Sequence, residues 1–314
     1  MTARKKIGTS ALEVFPLALG TNVFGWTADE ATSHRVLDDY FAAGGNFLDT
    51  ADSYSFWAPG NVGGESERII ASWFAKRGTR DQVVLATKVS QHPEFTGLAP
   101  ATIDRAVDAS LERLGTDVID LYYAHFDDAH TPLEDSIAAL SALVDAGKVR
   151  YLGISNYSPE RIEEWLRITE AGGYHRPIAL QPQYSLVERG IESTLIPLAQ
   201  REGLGVVPYY ALARGFLTGK YREGADDSAS PRAPMAAAYL AGRGRDVLAA
   251  LDEISSRHGV AQATIALAWL AGRPTVVAPI ASARIPEQLP DLLAHVSVEL
   301  SPAEIAQLDA ASEQ

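Results

Sequence analysis

Short apolar runs alternate with longer amphipathic stretches along the whole chain. The apolar runs predict strands at Phe15–Gly20, Asn46–Asp49, Val83–Lys88, Ile119–His125, Val149–Ser155, Ile178–Gln181, Gly205–Tyr209 and Val276–Ile280. Each is β-branched or apolar and is bounded by Gly, Pro or polar residues. Between them the apolar spacing lengthens to three or four. Ala101–Leu114 puts Ile103, Val107, Leu111 and Leu114 on one face and Asp104, Arg105, Asp108 and Glu112 on the other. Ser158 and Pro159 open a helix with an N-cap serine and an N1 proline. Ser301 and Pro302 do the same, and Glu304 adds a capping box.

Strands alternating with helices mean a parallel sheet with helical crossovers, an α/β fold. An open doubly wound sheet competes, but the even spacing and the count of eight favour a closed (β/α)8 TIM barrel. We expect one barrel domain over residues 1–314, with no interdomain linker. Arg4–Val14, turning at Gly8, Thr9 and Ser10, reads as an extra hairpin capping the barrel floor. Two segments exceed ordinary loop length, Ser53–Glu65 and Arg214–Arg245. Both follow strands, so in a barrel both belong to the C-terminal face, where active sites form.

Composition narrows the function. The 314 residues are 46% hydrophobic and 21% charged, enough to bury a large core. A net charge of −13 argues against nucleic acid or an anionic membrane as partner. With no cysteine there is no disulfide, thiolate metal site or thiol nucleophile. The histidines show no metal-ligand spacing, so we expect no metal. The basic start lacks a following apolar segment, and the apolar run Ala263–Ala271 is too short to span a bilayer. The expectation is a cytoplasmic protein.

Four polar residues end or follow predicted strands: Asp49, Tyr54, Lys88 and His125. Each alone has an ordinary reading as a cap, a solvated lysine or a core histidine. Together they make chemistry, because neighbouring barrel strands bring these ends within reach of each other. A tyrosine with a pKa near 10 is a poor acid at neutral pH. An ammonium within about 4–6 Å favours tyrosinate and lowers that value by roughly 1–3. Lys88 can supply the ammonium, Asp49 can keep it charged, and His125 can add a second donor. Two donors converging on one point suit a carbonyl oxygen that becomes an alkoxide.

The strings DTADSY, LYYAH and LGISNYSP, with Lys88 ending its strand, resemble the aldo-keto reductase superfamily. The resemblance runs in order from LALGTNVFG to PIASARIPEQL, essentially the whole chain. It implies a (β/α)8 barrel, NADPH (NADP+) as cofactor, a small-molecule carbonyl substrate, and Asp49, Tyr54, Lys88 and His125 as catalytic tetrad with Tyr54 as the acid. It also implies cofactor contacts. Gly20, Thr21, Asn22 and Asp49 are among them. Ser155, Asn156 and Gln181 match the trio that holds the nicotinamide carboxamide, although the first two also suit a turn. Tyr209 matches the ring that stacks on nicotinamide, and Tyr210, facing the other way in a strand, reads as core. Leu212, Arg214, Gly215 and Lys220 match the loop over the pyrophosphate. Ser282, Arg284 and Gln288, before and within a Pro286-led helix, match the site for the adenosine 2′-phosphate and adenine.

The pattern departs from the family in three places. Leu292 stands where the family has an adenine-contacting Asn, Ala211 where it has Pro, and Ser53–Glu65 exceeds the usual short glycine turn. The glycines at 60–64 do not form a dinucleotide fingerprint between a strand and a helix. Trp26, Phe56, Trp57 and Phe126, from loops of the catalytic face, are candidate substrate-pocket residues. Two other readings stay open. Lys88 could form a Schiff base, as in a barrel aldolase. The chain could also be a cofactor-binding regulatory module of the potassium-channel β-subunit type.

Overall fold

Eight short parallel strands build the centre of the molecule: β1 (Ala18–Gly20), β2 (Phe47–Asp49), β3 (Val84–Val89), β4 (Ile119–Ala124), β5 (Val149–Ser155), β6 (Ala179–Gln181), β7 (Gly205–Val206) and β8 (Ile280–Ala281). The computed structural model describes residues 3–222 and 233–313. Each strand pairs with the next in sequence from β1 to β7, and β8 pairs with β1. Between β7 and β8 the sheet closes through single bonds. Val206 N–H donates to the Thr275 carbonyl (2.9 Å), Val277 N–H to Val206 (2.8 Å) and Ile280 N–H to Pro208 (2.9 Å). The fold is the expected α/β (β/α)8 barrel.

Three strands are three residues shorter than the apolar pattern predicts, and each has a proline at or near its shortened end. Pro16, Pro208 and Pro279 lack the N–H that would continue the ladder. Helices follow the patterning closely. Pro100–Leu114 carries the predicted amphipathic face, Ser158 caps Pro159–Gly172 through the Arg161 N–H, and Ser301 and Glu304 form the capping box. An unanticipated two-stranded hairpin, Gln91–His92 with Phe95–Thr96, follows β3.

Alternation along the strands positions the functional ends. Phe47, Val84, Ala86, Leu121, Tyr123, Ala179 and Val207 belong to one buried cluster, the barrel interior. Leu48, Leu85, Val89, Tyr122 and Leu180 belong to the other, packed under the helices with Ile70, Trp73, Ile103 and Val107. A period of two therefore carries the inward rows to Asp49, Lys88, His125, Gln181 and Tyr209 at the C-terminal ends. The opposite end is filled. Lys5–Lys6 pairs with Glu13–Val14 in the expected hairpin, and Ile7, Leu12 and Val14 join the interior cluster.

The loop after β2 runs to Gly64, and Glu65 already starts the helix Glu65–Arg77. The segment 214–245 is less loop-like than expected. Ala213–Thr218 and Ala238–Leu240 are 3-10 turns, Ala233–Ala237 is a helical turn, and a long helix starts at Gly244. Residues 223–232 of this segment lie outside the described residues.

Gly8, with φ +51°, turns the floor hairpin against the barrel. A Cβ there would lie 2.4 Å from the Ile178 carbonyl oxygen and 2.9 Å from that of Gly203. Backbone atoms cannot step aside, so Gly8→Ala is expected to lose about 2–3 kcal/mol of stability. Gly44→Ala, at φ +91° with nothing within 4 Å, should lose only the conformational part, about 1 kcal/mol. Urea midpoints compare the two, and equal losses would remove the floor contact from the account.

Candidate functional site

Lys88 sits at the centre of the site. Its side chain is fully buried, and its three hydrogens are all used. Nζ donates to Asp49 Oδ2 (2.7 Å), the Thr50 carbonyl (2.7 Å) and Tyr54 Oη (3.0 Å). Burial pushes the ammonium pKa down, and the Asp49 carboxylate opposes that shift. The fourth predicted member, His125, stands with its ring 6.4 Å from that of Tyr54. Burial first, and the Lys88 charge second, hold its pKa well below the ordinary histidine value, so the imidazole is neutral at pH 7. Its Nδ1 is buried without a hydrogen-bond partner.

Further polar residues brace this cluster. Gln181 Nε2 donates to Asp49 Oδ1 (2.7 Å), and Ser155 Oγ donates to the Gln181 carbonyl (2.8 Å). Asn156 Nδ2 donates to the His125 carbonyl (2.9 Å) and Ser155 Oγ (3.0 Å), while its Oδ1 accepts from Tyr209 Oη (2.7 Å). Asn156 itself has φ +60°. The trio read from the sequence is thus one network joining β2, β4, β5, β6 and the segment after β7. Tyr210 is a correction: it lines the cleft beside Tyr209. Strand alternation does not reach it, because β7 ends at Val206 and Tyr210 has φ +52°.

A cleft of 640 Å³ opens over these groups, within the size usual for cofactor and ligand sites. Its wall includes Gly20, Asn22, Asp49, Tyr54, His125, Asn156, Gln181 and Tyr209. It continues past Leu212, Arg214, Gly215 and Lys220 to Ser282, Arg284 and Gln288. Thr21 and Ser155 are buried beneath it; Thr21 Oγ1 donates to the Asp49 carbonyl (3.0 Å) and accepts from Ser66 Oγ (2.7 Å).

The distal half of the cleft is lined by the cations Arg214, Lys220 and Arg284 and by the carboxylates Glu287 and Asp291. Arg214 lies over the Tyr210 ring at 4.6 Å, and its Nε is buried without a partner. The N–H groups of Ala213, Gly215, Leu217 and Gly219 are spent on turn bonds, and the Arg214 and Lys220 side chains line the cleft beside them. The expected Pro286-led helix is a 3-10 turn followed by the five-residue helix Leu289–Leu293. Gln288 Oε1 accepts from the Arg284 N–H (2.8 Å), so the charge here is that of the Arg284 guanidinium rather than of a long helix dipole. Leu292 and Asp291 also face the cleft. Their spacing of three and four from Gln288 was the available signal for one shared face.

Of the four candidate substrate-pocket aromatics, Trp57 and Phe126 line the cleft. Trp26 and Phe56 do not; they pack edge-on against Trp57, at 5.7 and 5.6 Å between ring centroids. Behind Lys88 lies an acidic cluster that the sequence reading missed. Glu67 is fully buried, accepts from Thr87 Oγ1 (2.6 Å) and pairs with Arg113 (2.6 Å). Asp52 is also fully buried, with neither carboxylate oxygen hydrogen-bonded, and the hydroxyl of Tyr122 is likewise unpartnered.

A barrel with this constellation at its C-terminal face defines a class. The chain matches the aldo/keto reductase family profile over residues 16–313 and belongs to that family. It is an oxidoreductase. It is 35% identical to a Bacillus subtilis (strain 168) protein named uncharacterized oxidoreductase YrpG, over 94% of this chain and 91% of that one. It is 31% identical to Protein tas of Escherichia coli (strain K12), over 97% and 96%. It is 34% identical to norsolorinic acid reductase stcV of Emericella nidulans, over 96% and 79%. Among the described residues, no helix is long and apolar enough to cross a membrane.

Burial, and then Glu67, hold the Asp52 carboxyl well above the ordinary carboxylate range. The folded protein therefore keeps a proton that the unfolded chain releases above about pH 4, and stability falls as pH rises from there towards the folded pKa. Asp52→Asn keeps the shape and stays neutral. Its thermal midpoint should equal the parent's near pH 4 and exceed it increasingly towards pH 8. A difference independent of pH would mean that Asp52 is ionised in the fold.

Proposed function

We propose that the protein reduces aldehydes or ketones to alcohols with NADPH, Tyr54 donating the proton. The observation that carries this reading is the buried Lys88 ammonium, bonded at once to Asp49 and to the Tyr54 oxygen under the cleft. The cleft fits the cofactor: cationic Arg214, Lys220 and Arg284 line one half, the tetrad the other, and Arg214 carries a buried donor without a partner. Gln181, Asn156, Ser155 and Tyr209 would hold the nicotinamide, and Gly20, Thr21, Asn22 and Leu212 would shape the wall around it. Arg214, Gly215 and Lys220 would meet the pyrophosphate, and Ser282, Arg284 and Gln288 the adenosine 2′-phosphate. When bound, NADPH supplies the hydride.

The remaining work belongs to the chain. Neutral His125 offers an N–H to the substrate oxygen, and Tyr54 offers its O–H to the same atom. As charge develops on that oxygen, the two donors stabilise it without reorganising. Tyr54 then gives up its proton, and Lys88 stabilises the phenolate that remains. Asp49 keeps Lys88 charged and pointed at Tyr54. The same geometry disfavours a Schiff base: Lys88 is fully buried and all its hydrogens are engaged, whereas an aldolase lysine must be neutral and reachable. Turnover itself separates an enzyme from a cofactor-binding regulatory module.

Tyr54→Phe removes the acid and keeps the ring. With a panel of aldehydes and ketones, followed by NADPH absorbance, kcat should fall by at least 10²–10³-fold while the NADPH Kd changes little. A variant within about tenfold of the parent would show that Tyr54 is not the acid.

Arg284→Ala should weaken NADPH by about 10- to 150-fold, the worth of one charge-assisted contact, and leave NADH nearly unaffected. Fluorescence titration at two salt concentrations measures both. Equal losses for the two cofactors would remove the 2′-phosphate from this position.

A further inference from the structure

We propose that Asp52 and Glu67, buried behind Lys88, share a single negative charge, and that this pair sets the electrostatic background against which Lys88 and Tyr54 work. The second half rests on the reductase reading of the cleft; the sharing of charge does not.

The pair is wired to the site through the backbone and short side chains. Asp52 lies between Asp49 and Tyr54 in sequence, and its N–H donates to the Lys88 carbonyl (3.3 Å). Thr87, the neighbour of Lys88, donates to Glu67 Oε1 (2.6 Å). Thr50, whose carbonyl holds the Lys88 ammonium, donates through Oγ1 to Ser66 Oγ (2.9 Å), beside Glu67. The helix Pro100–Leu114 supplies Arg113, which donates to Glu67 Oε2 (2.6 Å), and β4 supplies the hydroxyl of Tyr122. Glu67, Arg113, Lys88 and Tyr122 are thus the ionisable groups around Asp52. Burial keeps Tyr122 un-ionised, and Asp108, on the same helix as Arg113, is paired with Lys148 (2.6 Å).

The glycines at 63 and 64, which match no dinucleotide fingerprint, have a role here. A Cβ on Gly64, at φ +77°, would fall on the Arg113 side chain. One on Gly63, at φ +104°, would lie 2.6 Å from His92 Nε2. Without those Cβ atoms a guanidinium and an imidazole close over the cluster, and both carboxyls are fully shut off from water. Burial, and then the Arg113 charge, push the His92 pKa down, so His92 adds no second cation.

Counting charges gives the sharing. Glu67 has a hydroxyl on one oxygen and the guanidinium on the other, whereas neither oxygen of Asp52 has a donor. One guanidinium balances one carboxylate, and a second carboxylate in the same dry space would go uncompensated. One proton therefore stays with the pair, on Asp52. Burial and the Glu67 charge hold it there, and Arg113 opposes them. Remove the Glu67 charge and Arg113 is left for Asp52, which then ionises in its place. Whichever carboxyl carries the charge, the sum with Arg113 is zero, and Lys88, which feels both carboxyls, sees a constant background. Only loss of both leaves Arg113 unbalanced. A charge about 10 Å away at an effective dielectric of about 20 moves a pKa by about one. A positive charge favours the Tyr54 phenolate, so the tyrosine would stop being an acid at lower pH.

Infrared spectra of the intact protein in heavy water at pH 7 test the sharing without any turnover. Exposed carboxyls are ionised there, so the C=O stretch of a protonated carboxyl reports a buried one. The parent should show it, Asp52→Asn should lose it, and Glu67→Gln should lose it too, because Asp52 takes over the charge. A band that persists in Glu67→Gln, or is missing from the parent, overturns the sharing. So does a Glu67→Gln variant that fails to fold where Asp52→Asn folds, since Asp52 would then be unable to replace Glu67. The alkaline limb of kcat/KM, measured with NADPH and an aldehyde, tests the second half. Each single variant should leave the limb in place, and the double variant should move it down by about one pH unit. A purely structural role would lower the rate and leave the limb unmoved, which overturns the electrostatic role. If no aldehyde is reduced, the reductase reading fails, and the infrared result stands by itself.

Discussion

A buried ammonium is tolerable only where its charge and all its hydrogens are matched, and the site is built around meeting that condition for Lys88. Asp49 supplies the charge at 2.7 Å, and the Thr50 carbonyl and Tyr54 oxygen take the other two hydrogens. Asp49 is itself buried, so its second oxygen needs a donor, which Gln181 provides from across the barrel. Removing one partner would strand a charge at a cost of about 3–5 kcal/mol. The pair lies at the C-terminal ends of β2 and β3, and Lys88 holds the Tyr54 oxygen under the cleft.

The barrel meets this demand by dividing its two ends. At the floor, the hairpin drives Ile7, Leu12 and Val14 into the interior, and the rows above them are apolar apart from the hydroxyls of Tyr123 and Tyr151 until the strand ends. Only there do Asp49, Lys88 and Gln181 appear, each on an inward register. Stability is concentrated below and polar chemistry above, which is the general economy of this architecture. The helix layer has its own polar exception. Glu67 and Arg113 form a closed pair behind β3, and Asp52 shares the space, its carboxyl pKa pushed up by burial and then by Glu67's charge.

Two regions shape the ends of the cleft. The loop after β2 is long, but it is pinned by Ser55, Asn61 and Glu65 rather than left to move, and it carries Trp57. At the other end of the cleft, Leu292 and Asp291 share a wall with Gln288, so an apolar side chain and a carboxylate stand beside an amide. The Arg284 guanidinium, flanked by a single 3-10 turn, supplies the positive charge there.

Much of this was written in the local pattern. Alternation along Val84–Lys88 and Ile119–Ala124 decides that Lys88 and His125 follow the inward row. Ser158, Ser301 and the face of Ala101–Leu114 specify their helices through short-range bonds and spacing, and Gly8–Ser10 specifies the floor turn. What the pattern could not carry depends on bonds between distant segments. Proline-interrupted β7 and β8 close the barrel through isolated bonds, and Tyr210 enters the cleft because its backbone leaves the strand. Gln181 reaches Asp49 across 132 positions of sequence. Asp52, Glu67 and Arg113 meet only once a helix lies on the sheet, and the raised pKa of Asp52 follows from burial, a quantity that no single segment possesses. Local chemistry determined which elements form and which way their side chains face; only the closed barrel decided which of those side chains share a low-dielectric space.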